Sequence, residues 1–261
     1  MIVYPVRIFM NLMKFPPEMF DQFLDWEWDI LHSNDPEKIQ RSMRGILAYL
    51  REFIAEKERN PDDGLTSAIV NGRINGETLS DDDKIGIVWF LWLGGLDTVA
   101  ASIGLMFRRM ALEPEIQQAL ADDSALIPTA VEEFLRMHPV VNSGRRAKQD
   151  IEWHGQMIKA GEQVQCINAA GNFDPAHFPD PQRFDPARSP NRHFSFVAGV
   201  HICLGAALAR TELRVLLEEW FARMPSFQVK PGTDTSVYPG LLSIRNLVLQ
   251  WDPTQVRSPR K

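Results

Sequence analysis

Phe196-Val197-Ala198-Gly199-Val200-His201-Ile202-Cys203-Leu204-Gly205 is the stretch whose reading decides the fold. After it, Leu204, Leu208, Leu213, Leu216, Leu217 and Trp220 form the apolar side of a strong helix, so Cys203 sits at a helix start, just behind a loop containing Gly199. A helix N-terminus offers free N–H groups and a positive dipole end, which favour a thiolate. Gly199 and Gly205 let the backbone come close to something flat or bulky. A soft anionic sulfur in such a place is a nucleophile or a metal ligand, and a nucleophile would find a base in His201. Cys and His two residues apart fit no zinc spacing, and the other five of the six histidines are scattered. A buried structural cysteine is the plain alternative.

The chain around this stretch has 261 residues, 44% hydrophobic and 24% charged, ordinary values for a packed soluble protein. The 16 glycines and 18 prolines are too few for a disordered or collagen-like chain. A net charge of −6 argues against a general nucleic-acid binder. Two cysteines, Cys166 and Cys203, exclude a disulfide scaffold and a four-cysteine zinc site, and they fit a reducing cytoplasm. Pro5, Arg7 and Asn11 interrupt the apolar residues of the start, so it lacks the block of a secretory signal.

Ile85 to Phe107 carries one charge, Asp97, and is long enough to cross a bilayer. A carboxylate near the middle of a span costs about 2.5–3.5 kcal/mol on insertion scales. A central helix buried in a large domain, apolar all round, gives the same pattern and is the preferred reading. A membrane-anchored protein spanning Ile85 to Phe107 is the alternative.

The first half reads as successive helices. Asp35 caps a helix with Pro36 at its first position, and Ile39, Met43, Ile46, Leu47, Leu50, Phe53 and Ile54 follow at helical spacing. Asn60 to Gly64 breaks it, Ser80 caps the long apolar helix, and Pro114 and Pro128 each start another. Ile151 to Ala169 reads as short strands turning at Gly155 and Gly161, and Leu241 to Trp251 as a strand. Prolines 175, 179, 181, 186 and 190 forbid long regular structure between them. No linker, repeat or low-complexity segment interrupts the pattern. The expectation is one domain, 1–261, mainly α with small β-sheets.

The Phe196–Gly205 stretch resembles the haem-ligand signature of the cytochrome P450 monooxygenases: Phe, three positions to Gly, two to His, two to Cys, two to Gly. Five fixed positions match by chance in roughly one chain in 10⁴ at average residue usage. Ala209-Arg210-Thr211-Glu212 continues the likeness, while Val197 stands where bacterial members usually carry Gly. Further matches follow the family's order. Gly94-Gly95-Leu96-Asp97-Thr98 is similar to its oxygen-binding helix, with Val99 in place of a frequent Thr or Ser. Glu133-Phe134-Leu135-Arg136 is similar to its Glu-x-x-Arg pair, and Pro181-Gln182-Arg183-Phe184 to the segment supplying a third partner. Asn172-Phe173-Asp174-Pro175 is a variant of its Asn-Arg-Asp-Pro turn. A second Glu-x-x-Arg, Glu56 to Arg59, reads as a solvated pair on a charged stretch. The likeness covers essentially the whole chain and is nearest to soluble bacterial members that hydroxylate small terpenes.

The resemblance implies a cytochrome P450 fold and a haem-thiolate monooxygenase with haem b as cofactor and O2 as co-substrate. It makes Cys203 the axial iron ligand, with Phe196, Gly199, Gly205 and Gly94 at the haem. His201 and Arg145 hold the propionates, Arg146 being the alternative to Arg145. Asp97 and Thr98 become a proton-delivery pair. From the residues themselves, the Thr98 hydroxyl can bond the Gly94 carbonyl one turn back and open a groove in the helix. Glu133, Arg136 and Arg183 are expected as a buried bracing network. Leu93, Gly94, Val140, Val141, Leu241 and Leu242 match substrate-lining segments. The implied partners are a ferredoxin-type electron donor and a small apolar, terpenoid-like substrate, without nucleic acid or membrane, in the cytoplasm. The family has a substantial part preceding the region that Met1 onward resembles. The likeness therefore implies an N-terminally truncated fold that binds haem weakly and turns over little, and its runner-up is a non-catalytic remnant.

Overall fold

A computed structural model describes residues 3–238, 241–244 and 246–257. The chain divides into two compact units, residues 1–100 and 101–261.

The first unit is built from α1 (Val3–Met13), α2 (Phe20–His32), α3 (Pro36–Arg59), α4 (Leu65–Val70), a two-residue hairpin of β1 (Arg73–Ile74) and β2 (Glu77–Thr78), and α5 (Asp81–Leu96). The expected caps form. Asp35 Oδ1 accepts from the amides of Glu37 and Lys38, and Ser80 Oγ accepts from that of Asp83. Ile46, Leu50, Phe53 and Ile54 of α3 are buried with Phe9, Phe15, Phe23, Val88 and Trp92 in one core. Phe23 lies edge-on to both Phe15 and Trp92, at 5.0 and 5.9 Å between ring centres. Gly95 is required where α1 meets α5, because a Cβ there would stand 2.4 Å from the Phe9 ring.

The long apolar helix expected from Ser80 onward is two helices, α5 and α6 (Thr98–Leu112), broken at Asp97. The paired glycines Gly94 and Gly95 weaken the helix, and Thr98 Oγ1 takes the Gly94 carbonyl at 2.8 Å, as its spacing suggested. Nor is the stretch apolar-buried all round, since Phe90 is 69% exposed. Among the described residues Asp81–Leu112 is long and apolar enough to cross a membrane, and half of its most apolar window is buried within the protein.

The second unit takes in most of α6, then α7 (Pro114–Asp122), α8 (Ile127–Met137), strands β3 (Ser143–Arg146), β4 (Ile151–Trp153), β5 (Gln156–Ile158) and β6 (Gln163–Cys166), α9 (Asn168–Asn172), α10 (Ala206–Arg223), β7 (Phe227–Val229) and β8 (Leu249–Trp251). The strands make three antiparallel pairs, β3 with β6, β4 with β5 and β7 with β8. Residues 173–198 hold no helix or strand, as the prolines required. Buried Gln117 satisfies its amide on the Met110 and Phe227 carbonyls and the Phe227 N–H, joining α6, α7 and β7. Two expectations are corrected. Leu204 precedes α10 and is exposed, leaving Leu213 and Leu217 as the fully buried leucines of that helix. Of Leu241 to Trp251, only Leu249–Trp251 is strand, with Ser243 in an isolated bridge to Tyr238 and Arg245 outside the described residues.

Candidate functional site

Cys203 lies two residues before Gly205, the N-cap of α10, and α10 has no acidic residue in its first turn to oppose the positive helix end. The thiol is exposed. The loop behind it is folded back by the Cys203 N–H, which donates to the Phe196 carbonyl at 2.9 Å. Gly199 adopts φ +73°, and a Cβ there would meet nothing within 4 Å. His201 closes a short 3-10 turn from Gly199 and is exposed. Apolar residues alternate with these: Val200 is 95% exposed, Ile202 62% and Leu204 83%. Val197 holds φ +61°, a region that a β-branched residue enters only under strain. That accounts physically for glycine at this position in the signature.

Glu133 and Arg136 of α8 form a fork at 2.8 Å on both arms, each side chain fully buried. The expected third partner is corrected: Arg188, not Arg183, donates to Glu133, at 3.0 and 3.1 Å, while Arg183 lends its carbonyl to Arg188. Arg188 stands at the end of the turn that begins at Asp185, and that turn aims it inward. The Asp185 amide and Asn191 Nδ2 complete the shell around Glu133. Burial by itself would raise the Glu133 carboxyl. The hydrogen bonds from Arg136, the Asp185 amide and Arg188 outweigh it and hold the group below the usual carboxylate range. Asn172, fully buried, links this network to the cysteine loop. It donates to the Arg136 carbonyl and to Ser195 Oγ, and it accepts from the Phe194 amide.

Sequence reasoning missed a second network on the same helix. Glu132 receives Arg210 on both oxygens, at 2.7 and 2.9 Å, and lies 3.1 Å from His193 Nε2. Neighbouring glutamates on a helix point about 100° apart, so the Glu132-Glu133 pair itself signalled two separate sets of partners.

At the break between α5 and α6, Asp97 Oδ2 lies 3.4 Å from His32 Nε2 of α2. Glu27, five residues earlier on α2 and 4% exposed, accepts from the Asp97 backbone N–H, and its Oε1 has no partner among the described residues. Burial and the neighbouring Asp97 charge push Glu27 up to about 9, and burial also raises Asp97 against the opposing pull of His32. Gly94 is exposed with open space where a Cβ would stand, and Leu93 beside it is half-buried.

The remaining expected residues fall in the second unit. Leu242 donates its amide to the Val140 carbonyl at 2.9 Å, which joins two of the three segments expected at substrate. Leu241 is half-buried and Val141 exposed. Arg145 is exposed on β3, its guanidinium bonded to the Gly144 carbonyl, and Arg146 is bonded to that of Gly161. The described residues hold no cluster of three or more His, Cys, Asp and Glu that could hold a metal ion.

The family described as Cytochrome P450 matches residues 6–255. The chain is 34% identical over 249 residues to a probable cytochrome P450 127A1 of Sinorhizobium fredii, covering 95% of this chain and 60% of that protein. It is 35% identical over 230 residues to the mycinamicin IV hydroxylase/epoxidase of Micromonospora griseorubida, covering 86% and 58%. Against a steroid C26-monooxygenase of Mycobacterium tuberculosis it is 34% identical over 243 residues, covering 90% and 65%. It thus spans about three fifths of the length of these relatives. Among solved structures, CYP101J2 superposes with a TM-score of 0.85 at 33% identity, covering 95% of this chain and 62% of that one. CYP109E1 from Bacillus megaterium, in complex with testosterone, superposes with a TM-score of 0.85 at 27% identity, covering 94% and 69%.

Proposed function

The chain belongs to the cytochrome P450 family, and from that premise we propose that it carries the working parts of a haem-thiolate monooxygenase, which inserts one oxygen atom of O2 into a small apolar substrate. The observation that carries this is the exposed Cys203 thiol at the entry to α10, with exposed Val200, Ile202 and Leu204 beside it in the chain on a loop turned by Gly199. That donor set fits haem b. The thiol suits iron, the apolar side chains suit a macrocycle face, and exposed His201 and Arg145 suit its propionates. When bound, the haem supplies the iron at which O2 is activated, and a thiolate ligand favours O–O cleavage.

The rest is work for the chain's own groups. Cys203 contributes its sulfur, and the bond from its N–H to the Phe196 carbonyl fixes the backbone that carries it. Thr98, held on the Gly94 carbonyl, keeps the helix open where a small molecule enters. Asp97 holds a proton more readily than an ordinary carboxyl and, with Thr98, makes the proton-delivery pair. Val140, Val141, Leu241 and Leu242, on segments joined by the bond from the Leu242 amide to the Val140 carbonyl, line the substrate. The relatives' names cite mycinamicin IV and a steroid, the latter in agreement with an apolar substrate, and the terpenoid class rests on the sequence likeness. We take the electron donor to be a ferredoxin and the setting to be cytoplasmic.

The test is coupling. The purified full chain, supplied with haem, a ferredoxin system and a panel of terpenoids, should take up haem weakly, consume O2 slowly and release a small amount of hydroxylated product. Thr98→Ala should lower product per electron pair several-fold while haem content stays unchanged. Unchanged yield would remove Thr98 from the mechanism, and wild-type protein without haem or turnover would establish the non-catalytic remnant instead.

A further inference from the structure

The Glu132 network reaches the ligand loop by a route separate from that of Glu133. Arg210, on the first turns of α10, is gripped by both Glu132 oxygens and lies with its guanidinium 4.5 Å from the centre of the Phe196 ring. A cation over an aromatic face is attracted by the ring quadrupole. Phe196 is the residue whose carbonyl holds the Cys203 N–H. On the other side of the carboxylate, His193 is almost fully buried, and its Nδ1 accepts from the Ser195 amide at 3.2 Å. That bond leaves the ring proton on Nε2, where it is donated to Glu132. His193 and Phe196 are also in ring contact, 6.0 Å apart. One carboxylate therefore fastens both ends of the segment 193–196, the first part of the loop that ends in Cys203. The bonds from Glu132 raise the Arg210 guanidinium above its ordinary value against the opposing effect of burial, and a thiolate at Cys203 would add a smaller contribution in the same direction.

We propose that Glu132 is a positioning residue for the iron ligand: through Arg210 on Phe196 and through His193, it sets the Phe196–Cys203 loop on α8. The proposal rests on Cys203 being the haem ligand. The first experiment is amide hydrogen exchange on the full chain without haem, comparing wild type, Glu132→Gln and, as a control, Glu218→Gln, which removes the charge of an exposed pair with Arg214 on α10. Glu132→Gln should accelerate exchange across residues 194–203 at least tenfold, while amides of α8 and α10 change less than twofold and the control matches wild type. No acceleration in the loop, or equal acceleration throughout α8, α10 and the loop, would overturn the proposal, the latter by making Glu132 a general stabiliser. With haem bound, the same variant should at least triple the fraction of reduced, carbon monoxide-bound protein that lacks thiolate ligation, and an unchanged fraction would also overturn it. Failure of the wild-type chain to take up haem would overturn the monooxygenase reading instead, and the exchange result would still decide whether Glu132 sets the loop.

Discussion

Glu27 on α2 is 4% exposed and meets one backbone N–H and a second carboxyl, that of Asp97. Glu133 on α8 is fully buried and meets two guanidinium groups, a side-chain amide and a backbone N–H. Burial presses on both in the same direction, and the neighbours decide the outcome. With cations around it, Glu133 remains a charge and ties helix to loop. Without them, Glu27 keeps a proton up to about pH 9 beside the break in the long helix. The first arrangement suits bracing, and the second suits handling protons.

The largest effect should come from breaking the braced side. Glu133→Ala strands Arg136 and Arg188 in the interior, and loss of one partner of a buried ion pair costs about 3–5 kcal/mol. Urea unfolding of the full chain should show that loss, whereas Arg183→Ala, outside the shell around Glu133, should shift the midpoint little. Equal losses would restore Arg183 to the network.

The two regions should also answer pH in opposite senses. The Glu27 carboxyl rises from 4.5 to about 9 on folding. Its contribution is therefore complete below 4.5 and is lost as pH rises through 9. Glu27→Gln mimics the protonated acid and should flatten that slope, gaining on the order of 3 kcal/mol at pH 7. In the second unit, burial and then Arg109, Arg108 and Arg136 lower His138 from 6.5 to about 4. Its contribution is complete above 6.5 and is lost as pH falls toward 4, so His138→Gln should flatten the acid side. Melting temperatures across pH 4–9 check both, and parallel curves for the two variants would contradict the contrast.

The smallest effect concerns the loop itself. Val197→Gly removes a β-branched residue from φ +61° and should stabilise by about 1 kcal/mol. An unmoved or lowered unfolding midpoint would show that the loop bears no strain there.

Much of this was legible in the sequence because local chemistry enforces it. The caps at Asp35 and Ser80, the proline-bounded coil and the bond from Thr98 to the Gly94 carbonyl all depend on residues within a few positions of one another. What escaped depended on long-range partners. Arg183 and Arg188 lie five residues apart in one coil, and only the folded turn after Asp185 selects the second. Glu132, His193 and Arg210 are separated by 61 and 78 positions, and Glu27 reads as one charge among many on an amphipathic helix. The break at Asp97 was half legible, since Gly94, Gly95 and Thr98 announced a disturbance that the apolar run around them obscured.

The most direct measurement is the absorption spectrum of the purified, haem-supplied chain, reduced and bound to carbon monoxide, for wild type, Cys203→Ser and Cys166→Ser. The account predicts a thiolate-ligated spectrum in wild type and Cys166→Ser and its loss in Cys203→Ser. A thiolate spectrum that survives in Cys203→Ser and vanishes in Cys166→Ser would contradict it.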